Sequence, residues 1–152
     1  MAATLVTGAT GLVGNSIVHE LLARKRQVRA LVRFPLRARD VIPAECALAC
    51  GDVTDAASML RAAEGCDVVY HAAGLPEQWL RDPRKFDDVN VGGTRNAIAA
   101  ASAVGVRRFV YTSTIDIFAM EPGTEFDESR VDSRPKHTYY ERSKQQADRL
   151  VT

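Results

Sequence analysis

No apolar run in this 152-residue chain approaches the ~20 residues that a membrane-spanning helix needs. The N-terminus carries no signal-peptide pattern. Charge of one sign is also missing: 20 Lys and Arg face 19 Asp and Glu, a net +1, so composition offers no ground for a nucleic-acid or anionic-membrane partner. Cysteine is scarce. Cys46, Cys50 and Cys66 make an odd count without metal-ligand spacing, which argues against a disulfide framework and a metal centre. Buried reduced thiols in a reducing cytoplasm are the expectation. No repeat, low-complexity stretch or linker divides the chain, and 46% hydrophobic residues over this length suit one domain with a proper core.

What is present is most telling at residues 4–14, TLVTGATGLVG. Thr4 to Thr7 are short and mostly β-branched, as a buried strand requires. Gly8, Gly11 and Gly14 follow, and then Ile17, Val18, Leu21 and Leu22 recur at helical spacing. A strand turning through glycines into a helix presents unsatisfied N–H groups and a positive dipole end, and glycine lets a diphosphate approach the backbone. The spacing GxxGxxG between such a strand and such a helix predicts a dinucleotide site. The cluster Arg24, Lys25, Arg26 falls where that helix should end, and reads as a solvated helix terminus.

Strands are expected near 3–7, 27–33, 46–50, 67–71 and 108–113, and helices near 12–24, 55–64, 85–104 and 137–151. This alternation implies right-handed crossovers and an α/β fold with a doubly wound parallel sheet, strand order 3-2-1-4-5. The ligand crevice is then at the carboxyl ends of strands 1 and 4. The longest aperiodic segment, about 119–136, contains Pro122, Gly123 and Pro135 and is placed to act as a substrate loop. The last helix reaches the end of the chain without a stop signal, and strand 5 (Phe109, Val110, Tyr111) reads as an interior strand lacking an outer neighbour. The expectation is that residues 1–152 form the dinucleotide-binding, N-terminal portion of a longer enzyme, truncated before its C-terminal strands and without the substrate-binding region. An unpaired strand 5 should make the isolated chain prone to association.

Arg33 closes the second strand, where the adenosine ribose is met in such a sheet. An arginine there neutralises a 2′-phosphate and selects NADP, whereas a carboxylate would select NAD. Arg37 and Arg39 follow, and no Asp or Glu occurs between Glu20 and Asp40. Asp52 and Val53 after the third strand suit an adenine amino group and ring, while Thr54 and Asp55 are placed to cap the next helix. Ala72, Ala73 and Gly74 are small enough to let a cofactor pass close to the backbone. His71 ends a buried strand with no acidic neighbour in sequence to orient it, and is read as structural.

Tyr140 and Lys144 are one helical turn apart and share a face. A nearby ammonium favours a phenolate, so the tyrosine can exchange a proton with a hydroxyl or carbonyl near neutral pH. Tyr139 is out of phase with Lys144. Thr112, Ser113 and Thr114 end strand 5 and offer a hydroxyl to the same oxygen.

These pieces together resemble the extended short-chain dehydrogenase/reductase family. The residues that carry the resemblance are TGATGLVG at 7–14, GDVTD at 51–55, HAAG at 71–74, NVGGT at 90–94, FVYTST at 109–114 and YERSK at 140–144. Within the family the chain is similar to the dihydroflavonol reductase-like and NAD-dependent epimerase/dehydratase branch. The resemblance implies a Rossmann-type domain. It implies a pyrophosphate turn at Gly8, Thr10, Gly11 and Gly14 with the backbone near Leu12 and Val13, and cofactor contacts from Arg33, Asp52, Val53, Ala72, Ala73 and Gly74. It also implies Tyr140 as the catalytic tyrosine and Lys144 as the lysine that binds the nicotinamide ribose and tunes it. Thr114 is the oxygen-orienting hydroxyl, with Ser113 as the fallback, and Asn90 supports the site or serves as a polar cap near a helix bend. Phe118 replaces a tyrosine found in many relatives, which weakens a nucleotide-sugar reading.

The expected activity is NADP(H)-dependent hydride transfer to or from a carbonyl or hydroxyl carbon, with NAD the less favoured cofactor and no metal. The alternatives are a sugar epimerase or dehydratase and, from another class, a non-enzymatic NADP-binding sensor or scaffold. Specificity is expected from the 75–84 loop (Pro76, Trp79, Arg81) and the 119–136 loop. The partner is a small carbonyl compound or sugar, and the resemblance implies homodimers through the 85–104 helix and the helix bearing Tyr140.

Overall fold

The computed structural model describes residues 2–119, 123, 125, 127–129 and 131–152. Pro122 lies outside the described residues. Five strands, β1 (Ala3–Thr7), β2 (Val28–Val32), β3 (Ala47–Cys50), β4 (Cys66–His71) and β5 (Arg108–Tyr111), form one parallel sheet in the order β3-β2-β1-β4-β5. Helices α1 (Leu12–Ala23), α2 (Pro35–Ala38), α3 (Ala56–Ala63), α4 (Arg84–Phe86), α5 (Gly93–Ala103) and α6 (Tyr139–Val151) connect and follow them.

Adjacent residues of the central strands enter opposite cores, which is why their sequences are continuously apolar. Leu5, Leu31 and Val69 pack with Met59, Ala62 and Ala97 on one face. Val6, Ala30 and Val32 pack with Val18 and Ile42 on the other. Each fully buried aliphatic contributes about 1.5–3 kcal/mol relative to exposure, so the β1–β4 core is the firm frame on which the loops at the strand ends sit. The chain turns from β3 back to β4 across β1, which opens a crevice between the carboxyl ends of β1 and β4.

Several elements differ from expectation. β5 stops at Tyr111, so Thr112, Ser113 and Thr114 lie beyond it, while β5 stands half-buried at the sheet edge with no outer neighbour among the described residues. The 85–104 helix is broken in character: α4 runs into a π-helical stretch at Asp87–Gly92, and α5 continues from it. A π-bulge re-aims side chains on an otherwise regular helix, and here the re-aimed residue is the buried Asn90. Helix α6 starts at Tyr139 because Thr138 caps it: Thr138 Oγ1 accepts from the Glu141 N–H (3.1 Å) and Glu141 Oε2 accepts from the Thr138 N–H (2.9 Å). Cys46 and Cys66 are buried as expected, but Cys50, at the end of β3, is exposed. Arg26 is more than a solvated helix end, since it pairs with Asp67 at 3.2 Å.

Candidate functional site

The turn after β1 brings two backbones together. Gly8 has φ +68°, and a Cβ on it would lie 2.6 Å from the Ala72 carbonyl and the Ala73 nitrogen. Only glycine meets both demands. Gly14, inside α1, has no room either: a Cβ there would be 2.2 Å from the Gly8 oxygen. Gly11 is the N-cap of α1 and is not crowded, its Cβ position being 3.4 Å from that oxygen. The helix therefore offers its bare N-terminal N–H groups at the mouth of the crevice.

A single cleft gathers most of the expected cofactor residues. Gly8, Thr10, Gly11, Arg33, Asp52, Val53, Ala72, Ala73 and Gly74 line it, with Leu31, Val32, Gly51, Leu75 and Val89 added. Gly14 is buried behind it. The side chains of Leu12 and Val13 turn away into a separate groove with Ile17, Leu21 and Tyr70, so these two residues face the cleft only through the backbone of the first helical turn. Asp52 accepts from the Thr54 N–H and hydroxyl (2.9 Å each), and the cap of α3 is Asp55, which accepts from the Ala57 N–H at 3.0 Å. Arg33 and Arg37 line an adjoining recess with Phe34, and the Arg37 guanidinium sits 5.7 Å over the Phe34 ring.

His71 is wholly buried, and its bonds assign its tautomer. Thr94 Oγ1 donates to the Asn90 carbonyl (2.6 Å), so it accepts from His71 Nε2 at 3.1 Å. Thr7 Oγ1 accepts from the Ala73 N–H (3.2 Å) and gives its own proton to His71 Nδ1 at 2.8 Å. The imidazole is neutral, and burial, assisted by the Lys144 charge, pulls its pKa down to about 3. The structural reading of His71 thus has a mechanism: it ties β1 and β4 to α5.

Asn90 carries the chain of contacts onward. Its Oδ1 accepts from the Leu75 N–H (2.7 Å), and its Nδ2 donates to the Leu75 carbonyl (3.3 Å) and to Ser143 Oγ (2.9 Å). Ser143 in turn donates to the Tyr140 carbonyl at 2.7 Å. One side chain therefore sets both the cleft wall at 74–75 and the first turn of α6.

The buried face of α6 is mostly polar: Ser143, Lys144, Gln145, Ala147 and Asp148. Polar residues are seldom buried in such number without a partner or a task. Gln145 holds the Asp132 and Arg134 carbonyls (2.6 and 3.0 Å), which fixes the segment before α6. Asp132 itself is held well below the usual carboxylate range, chiefly by its bonds from Arg134. Lys144 donates to the Thr112 carbonyl (2.7 Å), and its ammonium lies 4.3 Å over the Tyr111 ring. Burial pulls Lys144 down to about 8, against the opposing pull of Asp148. Tyr140 is half-buried on the same helix.

The two hydroxyls beyond β5 are already engaged. Ser113 donates to Asp148 Oδ1 (2.7 Å), and Thr114 donates to Asp116 Oδ2 (2.9 Å) while capping a short 3-10 turn at Ile115–Ile117. Tyr140, Lys144, Ser113 and Thr114 stand outside the cleft lining, one strand further along the sheet.

Tyr111, Asp148 and the Thr138–Glu141 cap are participants that sequence reasoning missed. The cap is legible as Thr-x-x-Glu, and Asp148 as an acid one turn beyond Lys144. Tyr111 has no local signal. Its hydroxyl is buried without a hydrogen-bond partner, and its pKa is raised by burial and by Asp148 and Tyr140. Trp79 is exposed and so does not cover the core.

The chain is similar to known proteins in sequence and in fold. The chain is 39% identical over 144 residues to sterol demethylase protein B of Methylococcus capsulatus, covering 93% of this chain and 43% of that protein. It is 36% identical over 125 residues to a putative dihydroflavonol 4-reductase of Synechocystis, covering 82% and 36%. The UDP-glucose 4-epimerase of Thermus thermophilus, solved in complex with NAD, superposes with a TM-score of 0.84 at 25% identity, over 98% of this chain and 49% of that one. The chain therefore spans less than half the length of these relatives. Residues 4–152 match the family model described as the NAD dependent epimerase/dehydratase family, and the chain belongs to that family.

Proposed function

We propose that this chain is the dinucleotide-binding domain of an NADP(H)-dependent oxidoreductase, dihydroflavonol reductase-like in its chemistry. The observation that carries the reading is one cleft in which Gly8, Gly11, Arg33, Asp52 and Gly74 meet at the carboxyl ends of the strands, with Tyr140 and Lys144 on α6, one strand further along the sheet. The cradle fits the group: Gly8 and the small residues 72–74 leave backbone, not side chain, facing the α1 N-terminus. When bound, the dinucleotide supplies or accepts hydride at the nicotinamide ring.

The chain's own residues do the rest. Gly11 and the first turn of α1 hold the diphosphate. Arg33 pairs with a 2′-phosphate, and the absence of a carboxylate at the end of β2 is what favours NADP over NAD. Lys144 takes ribose hydroxyls and keeps a positive charge one turn from Tyr140. Tyr140 moves the proton to or from the substrate oxygen. Thr114 orients that oxygen by exchanging its bond to Asp116 for one to the substrate. The substrate is a small carbonyl compound or sugar, and the three free cysteines favour a reducing cytoplasm. Pairing of two copies through α5 and α6 belongs to the same proposal. A second reading, a sugar epimerase that returns the hydride it takes, is supported by the superposition on UDP-glucose 4-epimerase.

The test mixes the enzyme with NADPH and a panel of aldehydes and ketones. Loss of reduced-nicotinamide absorbance, abolished by Tyr140→Phe by at least ~10²-fold, is the expected result. Interconversion of sugars without net consumption of the reductant would favour the epimerase. Unchanged activity in Tyr140→Phe would overturn both and leave a nucleotide-holding module.

A further inference from the structure

Asp148 is buried on the inner face of α6, and the proton transfer above does not use it. Its Oδ1 accepts from Ser113 Oγ at 2.7 Å. One turn earlier, Lys144 donates to the carbonyl of Thr112 at 2.7 Å. Two consecutive residues at the end of β5 thus grip two opposite charges on one helix. Around the Lys144 ammonium stand the Tyr111 ring of β5 at 4.3 Å, the neutral His71 of β4, and Asp148, one turn along the same buried face of α6 and not in direct ion-pair contact. Asp148 is the one carboxylate in that set. A buried ammonium without a counter-charge is strongly disfavoured, and Tyr140 profits from Lys144 only while the lysine is charged.

We propose that Asp148, aimed by the Ser113 hydroxyl, is the counter-charge that keeps Lys144 an ammonium, and so a positioning residue that acts on Tyr140 through the lysine. The proposal rests on the site reading given above. It commits Ser113 to Asp148 and leaves Thr114 as the hydroxyl for the substrate oxygen. Burial lowers the proton affinity of Lys144 and Asp148 opposes that change, in agreement with the geometry. The competing role is a strut: Asp148 would merely tie β5 to α6. Asparagine separates the two, because its amide oxygen can keep the bond from Ser113 while its charge is gone.

The experiment is an NMR titration of the Lys144 side-chain methylene next to the ammonium, in this chain and without dinucleotide. Asp148→Asn should lower the titration midpoint by about one pH unit, tenfold in proton affinity. Asp148→Glu should restore it. Ser113→Ala keeps both charges but frees the carboxylate, and should give a smaller shift in the same direction. A folded Asp148→Asn chain whose Lys144 titrates as in the wild type overturns the proposal. If Asp148→Asn does not fold, an unchanged midpoint in Ser113→Ala does so instead. In the hydride-transfer assay, Asp148→Asn should move the alkaline limb of kcat/KM down by the same amount. Because the titration needs no dinucleotide, its failure counts against Asp148 alone. A normal titration shift in an enzyme without hydride transfer would count against the site reading alone.

Discussion

Replacing Gly14 by alanine and Gly11 by alanine should give opposite phenotypes, although both belong to the same turn. At Gly14 the new methyl would lie 2.2 Å from the Gly8 oxygen and 2.6 Å from the Gly8 carbonyl carbon, so backbone must retreat by about 1.2 Å before ordinary contact at 3.4 Å is reached. Backbone overpacking of this kind costs ~3 kcal/mol. The Gly8 oxygen also accepts from the Gly11 N–H at 3.0 Å, and losing that bond adds ~1 kcal/mol. The better helix propensity of alanine returns ~1 kcal/mol. The net loss is about 3 kcal/mol, or roughly 10 °C in Tm for a chain of this size. At Gly11 the methyl meets the Gly8 oxygen at 3.4 Å, and the backbone is extended (φ −88°, ψ 169°), so the conformation suits any residue. The stability change there should stay under ~1 kcal/mol. Gly11 lines the cleft, however, and its methyl would stand where the diphosphate approaches. Urea denaturation and dinucleotide titration of both variants separate the effects. Gly14→Ala should be unstable, and Gly11→Ala should be stable and binding-impaired. A Gly14→Ala chain that denatures like the wild type would refute the packing argument. Equal instability in Gly11→Ala would refute the division of labour.

His71 links stability to pH. Its folded pKa, about 3, lies below the ordinary 6.5 of the unfolded chain, so the stabilisation is complete above pH 6.5 and is lost as pH falls toward 3. The unfolding free energy should drop by up to ~1.4 kcal/mol per pH unit between about pH 6 and pH 4.5; a flat profile across that window would contradict the neutral, doubly bonded imidazole. Arg33→Ala should weaken NADPH binding about 10- to 100-fold, the worth of a charge-assisted phosphate bond, with little change for NADH. Equal losses for the two would remove the 2′-phosphate role.

The sheet was legible because parallel strands buried on both faces leave unbroken apolar runs, and because Gly8, Gly11 and Gly14 punctuate the first crossover. The cleft lining followed from topology, since residues just past strand ends must converge at the switch point. Three things were hidden. A bend near Asn90 was legible beside Gly92 and Gly93, but the π-helical register of Asp87–Gly92 leaves no local mark; it becomes meaningful once Asn90 is seen bonded to Leu75 and Ser143. The engagement of Ser113 and Thr114 by Asp148 and Asp116 depends on side-chain directions beyond β5, which periodicity does not supply. Leu12 and Val13 were placed by their position in the turn, but the helical rotation of α1 carries their side chains to the far groove.

The most direct measurement is the amide NMR footprint of NADPH titrated into this chain. Saturable shifts are expected at Gly8, Gly11, Arg33, Asp52, Ala73 and Gly74, smaller ones at Tyr140 and Lys144, and weaker binding when NADH replaces NADPH. Shifts confined to the groove of Leu12, Val13 and Tyr70, or no saturable shifts with either dinucleotide, would contradict the account.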